Sequence, residues 1–133
     1  RPMAVDRKFI EGTWQKKNRA FSPAVITKGG TTIWLAGHGA ITDDDGNSLA
    51  GNFEAQTHQA FTLLSRTLEE AGGTLKDMVT MTVFILDPRH GDTFIDIRKT
   101  YFDDFPASAL ITVAGFANSD MMVEIQGIAV IDD

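Results

Sequence analysis

Apolar residues recur along this chain at two periods, and each change of period marks an element boundary. Ala24-Val-Ile-Thr-Lys and Thr31-Thr-Ile-Trp-Leu-Ala have strand length and composition, and Gly29-Gly30 between them supplies the positive φ of a hairpin turn. Two strands joined by that turn are predicted. From Asn52 the period lengthens, with Phe53, Ala60, Leu64, Leu68 and Ala71 at helical spacing, Asn52 placed as N-cap and Gly72-Gly73 as terminator. Met78-Val-Thr-Met-Thr-Val-Phe-Ile-Leu returns to period two, with Val79, Met81, Val83 and Ile85 on one face and Thr80 and Thr82 on the other. Asp87-Pro88 stops that strand. A second helix is predicted from Thr93 to Phe102, presenting Phe94, Ile97 and Tyr101, with Phe105-Pro106 beyond its end. Strands near Ser108 to Ala114 and Met121 to Ile131 complete the chain.

The order β-β-α-β-α-β-β over 133 residues predicts one α+β domain, a single mixed sheet with two helices on one face. Residues 20–131 carry this pattern; residues 1–19 carry little of it, and Met3 is the expected native start. Helices on one face leave the other wet unless subunits associate through it, so an oligomer is expected. A domain this small has little volume for a deep private pocket, which favours sites between subunits. The net charge of −6, from 18 acidic and 12 basic residues, opposes binding to nucleic acid. Lys16, Lys17 and Arg19 form the only basic cluster, beside Trp14, and it is too short for a nucleic-acid stripe. The absence of cysteine excludes disulfides and thiolate catalysis. No apolar run approaches the ~20 residues of a membrane span and no signal-peptide core is present, so a cytoplasmic protein away from membranes is expected.

Candidate chemistry is sparse. Asp43-Asp44-Asp45-Gly46-Asn47 fails the calcium-loop test, because placing Gly46 at the sixth position puts Ile41 first and Asn52 last; a solvated turn is expected. Glu54 and His58 lie four apart on one helical face, which is two ligands without a third, and no metal is assigned. Gly37-His38-Gly39 interrupts a strand end, where glycines mark close backbone approach. Glu124 places one carboxylate inside the apolar run Met121-Met122-Val123-Glu124-Ile125. Buried there, it would be desolvated, with its pKa raised toward the range of general acid–base work; on an exposed edge it would simply face solvent.

Five segments in order resemble the Rid (YjgF-like) family of reactive-intermediate deaminases: Phe21-Ser-Pro-Ala-Val, Ile33-Trp-Leu-Ala-Gly-His, Val79-Thr-Met-Thr-Val-Phe, Phe105-Pro-Ala and Val123-Glu-Ile-Gln-Gly-Ile-Ala-Val. The resemblance implies a chorismate-mutase-like homotrimer with clefts between subunits, cofactor-free hydrolysis of small enamines or imines, and a last-strand glutamate, here Glu124, positioning water. It also implies an arginine after Pro-Ala that grips a substrate carboxylate. This chain has Ser108 there, one neutral donor in place of a charged fork, so an acidic substrate such as 2-iminobutyrate loses its anchor. Phe21 stands where tyrosine is usual, and Ala36-Gly37-His38 replaces Ser-Gly-Gln. His38 brings a titratable ring with a reference pKa of ~6.5, either for proton transfer or hydrogen-bonded to backbone. Ile95 or Asp96 aligns with a substrate-contacting asparagine of the family, and Arg98, one turn away, is either a replacement charge or a helix-surface residue. The implied site is Glu124 as the catalytic residue, with Ser108, His38, Phe21, Gly37 and Ala109 binding a small-molecule substrate. Two alternatives are a trimeric binding protein that uses the same cleft without chemistry, and a ribonuclease, which conflicts with the acidic charge.

Overall fold

The computed structural model describes residues 4–12 and 18–133. Met3, Trp14, Lys16 and Lys17 lie outside the described residues. The elements are β1 (Asp6–Phe9), β2 (Val25–Lys28), β3 (Thr31–His38), α1 (Phe53–Glu70), β4 (Met78–Ile85), α2 (Gly91–Lys99), β5 (Ala107–Thr112) and β6 (Val123–Ile131). Four strands form a mixed sheet in the order β3-β6-β4-β5, antiparallel except for the parallel β4–β5 pair. Phe61, Leu64 and Leu68 of α1 and Phe94, Ile95 and Ile97 of α2 form one core with Met81, Val83 and Ile85 of β4 and Val123 and Ile125 of β6. Both helices therefore cover the same face of the sheet. The opposite face leaves Trp34 78% and Ile111 43% exposed.

The expected hairpin does not form. Gly29 and Gly30 do adopt positive φ, 80° and 81°, but β2 pairs antiparallel with β1, and β3 pairs with β6. The glycines instead let the chain pass close to two other segments: a Cβ on Gly30 would meet the Ile131 carbonyl oxygen at 2.5 Å and the Val130 side chain at 2.9 Å. The single expected sheet is thus a four-stranded sheet plus a two-stranded ladder, and β1 is a strand that the pattern of residues 1–19 did not announce.

Helix α1 begins and ends close to the predicted points. The Asn52 side chain accepts a hydrogen bond from the Ala55 amide at 3.0 Å, and the Gly72 and Gly73 amides return to the Glu69 and Leu68 carbonyls. Ala71, expected in the apolar stripe, is the C-cap and exposed. In β4 a bulge between Met78 and Thr80 turns Met78 inward in place of Val79. Helix α2 starts two residues before the predicted point and ends at Lys99, three before it; Thr100 Oγ1 bonds the Ile97 carbonyl at 2.6 Å and takes an acceptor of the last turn. The acidic loop is the expected turn, with Asp43 accepting from the Asp45 and Asn47 amides at 3.0 and 2.8 Å.

Candidate active site

Glu124 follows the first residue of β6. Its neighbours Val123 and Ile125 point into the core, so by strand alternation Glu124 points to the open face of the sheet, half-buried. The carboxylate is therefore not inside the apolar core as the run of Met, Val and Ile suggested, because those apolar side chains face away from it. What it packs against is Gly37. In the β3–β6 ladder Leu35 sits opposite Gly127 and His38 opposite Ile125, so β3 carries one extra residue, and this bulge lays the Gly37 backbone over the Glu124 side chain. A Cβ at position 37 would lie 2.7 Å from both Cδ and Oε2 of Glu124. Among the described residues the carboxylate accepts no hydrogen bond.

The same bulge turns His38 toward α1. Its Nδ1 lies 2.7 Å from the Ala36 carbonyl and its Nε2 2.7 Å from Thr67 Oγ1. A carbonyl only accepts, so Nδ1 carries the proton and, in the neutral ring, Nε2 accepts from the threonine hydroxyl. Both ring nitrogens are thus engaged within the protomer, Nδ1 by backbone and Nε2 by Thr67.

Ser108 lies at the other edge of the sheet. It pairs with the core-facing Met81, so its side chain points to the helix layer, whereas Ala109 pairs with Thr82 and is exposed on the open face. Ser108 Oγ accepts from Arg98 Nη1 at 2.6 Å. Arg98 is 1% exposed, not on the helix surface; its Nη2 donates to the Arg19 carbonyl at 2.9 Å and its guanidinium stands 5.2 Å over the Phe94 ring. Burial, together with the nearby positive Arg19, lowers its pKa to about 10, and the group stays charged at neutral pH. Phe21 reaches this edge because Ser22 bridges to Ala107, its amide bonding the Pro106 carbonyl at 3.1 Å and its hydroxyl the Phe105 carbonyl at 2.6 Å. Ile95 is in the core and Asp96 exposed.

One protomer therefore brings Glu124 to Gly37, and Ser108 to Arg98 with Phe21 alongside. It does not join the two groups, which occupy opposite faces with β4 between them.

The family model for endoribonuclease L-PSP matches residues 15–131, nearly the whole chain. The chain belongs to the Rid/YjgF family. A RutC family protein of Pyrococcus abyssi is 26% identical over 102 residues, covering 77% of this chain and 80% of that protein. A RidA from an Antarctic Psychrobacter is 29% identical, with a TM-score of 0.67 over 84% of this chain and 88% of its own. A Rid-family protein of unknown function from Yersinia pestis, 23% identical, shares the fold with a TM-score of 0.83 over 97% of this chain and 100% of that one.

Within this Rid fold, the residue that the sequence undervalued is Arg98. Phe94, Ile97 and Arg98 fall at i, i+3 and i+4, so Arg98 occupies the stripe of α2 that faces the core, and the spacing alone carried that signal.

Proposed function

We propose that this Rid-family chain is a hydrolase that removes nitrogen from a small enamine or imine, working as a homotrimer whose clefts are completed by neighbouring subunits. The observation that carries this reading is the Glu124 carboxylate, held against Gly37 on the open sheet face with its lone pairs unclaimed by the described residues. Covered by a second subunit, such an acceptor holds a water molecule. Water adds across the C=N bond while Glu124 takes its proton; the proton passes to nitrogen, the carbinolamine collapses, and the products are a ketone and ammonia. Ser108 and Phe21 from the opposite edge, with Ala109, shape the substrate end of the cleft, and no cofactor takes part. Turnover of 2-iminobutyrate is expected to be weak, because Ser108 offers no charged fork of its own.

The test is ammonia release by wild type and Glu124→Gln over a panel of enamines and imines. The isosteric substitution removes the base but not the shape, and a fall of roughly 10²- to 10⁴-fold is expected for a substrate the wild type turns over. A wild type that releases no ammonia from any of them, yet binds them with affinity only modestly reduced by Glu124→Gln, would establish the binding-protein alternative, for which the fully engaged His38 ring speaks. Ribonuclease activity, which the family model's description carries, fits poorly with a net charge of −6.

A further inference from the structure

A cavity of about 490 Å³ lies between β1, the helical turn Leu75–Asp77 and the loop from α2 to β5, and neither Glu124 nor Ser108 lines it. Its volume is in the range of small-molecule sites. Val5, Arg7 and Phe9 share one face of the N-terminal strand by alternation, so two apolar side chains flank a guanidinium there. Lys76 comes from the turn, and Asp103 and Asp104 come from the loop.

Arg7 is fixed before any ligand arrives. Its Nη2 donates to Asp77 Oδ1 at 3.0 Å and to the Val130 carbonyl, while its Nη1 is engaged by none of the described residues. Lys76, Asp103 and Asp104 line the same cavity, yet among the described residues none of the three enters an ion pair. The two signs are thus separated by element, with cations on β1 and the turn and carboxylates on the loop, around a space that they do not close on each other. Such an arrangement is complementary to a ligand that carries both charges. An anion alone would meet Asp103 and Asp104 as like charges, and a cation alone would meet Arg7 and Lys76.

We propose that this cavity binds a free α-amino acid with an apolar side chain. Its carboxylate is held by Arg7 Nη1 and Lys76, its ammonium by Asp103 and Asp104, and its side chain lies along Val5 and Phe9. The site is separate from the hydrolytic cleft and does not rest on that reading. Lys76, Asp103 and Asp104 are exposed, so the affinity is modest, on the order of millimolar.

The experiment is an NMR titration of the full chain with L-leucine, with 4-methylpentanoate, which lacks the ammonium, and with 3-methylbutylamine, which lacks the carboxylate. Leucine is expected to shift the amides of Arg7, Lys76, Asp103 and Asp104 saturably, and each analogue to bind roughly tenfold more weakly or worse. Lys76→Ala and the pair Asp103→Asn with Asp104→Asn change exposed positions and leave the core intact; each is expected to weaken leucine about threefold or more. Arg7 is left in place because it also ties β1 to Asp77. No saturable shift at these amides, an analogue that binds as tightly as leucine, or leucine binding unmoved by both sets of substitutions overturns the proposal. Binding is read without turnover and is expected to be unchanged in Glu124→Gln, so failure here and failure of the hydrolase reading are separate results.

Discussion

At the scale of single residues, two contacts carry most of the chemistry. Gly37 has no side chain, and an added Cβ would stand 2.7 Å from the Glu124 carboxylate. The position does not need the left-handed conformations reserved for glycine, so Gly37→Ala should fold normally and push the carboxylate aside. Thermal melting should change little while ammonia release falls on the order of 10²-fold, the usual cost of a misplacement of about 1 Å; unchanged turnover would mean that Gly37 does not set the position of Glu124. The second contact alters how Ser108 is to be tested. Because Ser108 faces the buried guanidinium of Arg98, Ser108→Arg sets two like charges side by side and is expected to cost about 1–3 kcal/mol in a urea melt. Arg98→Met is expected to be near neutral or stabilising, since it removes an unpaired buried charge. The double substitution should then recover stability and turn over 2-iminobutyrate better than wild type. Glu124 was legible in the sequence as the odd carboxylate of an apolar strand, but which face it occupied was not, because a strand alternates and only packing says which side is the core.

At the scale of elements, bulges and loops place what the strands carry. The extra residue in β3 is what turns Gly37 onto Glu124 and His38 onto Thr67; Gly37-His38-Gly39 marked a close backbone approach there, but not which segment comes close. The acidic turn is tied back to α1 by Asp44, which accepts from Arg66 and Gln59 and whose pKa is thereby lowered to about 2. A depressed carboxylate pKa contributes stability above the unfolded-state value of ~3.9, and loses it as pH falls toward the folded value. The tie should therefore be intact at neutral pH and weaken only between about pH 4 and 2. Carbon-detected NMR titration is expected to show Asp44 titrating well below the ordinary carboxylate range, and Arg66→Ala should bring it back toward that range.

At the scale of the whole molecule, the proposed trimer rests on the open sheet face. Trp34, Thr80, Thr82, Gln126 and Ile128 surround a shallow cavity of about 310 Å³ on this face, and an exposed tryptophan beside apolar strand residues is the kind of surface that subunits cover. Light scattering after gel filtration is expected to give three times the protomer mass of 14.5 kDa for wild type and a single protomer for Trp34→Glu, with hydrolysis lost in step because the cleft needs its neighbour. A monomeric wild type would remove the trimer from the reading. Taken alone, the sequence determined the order of the elements from β2 onward, the two helices with the caps of α1, and the family, since these follow from periodicity, turn chemistry and short segments that are local in the chain. Tertiary structure decided the rest. It paired β2 with β1 instead of β3, turned Glu124 outward, engaged both nitrogens of His38 and drew Arg98 into the core beside Ser108. Each of these depends on which distant segment fills a hydrogen-bonding edge or a packing gap, and that competition is settled only when the whole chain is in place.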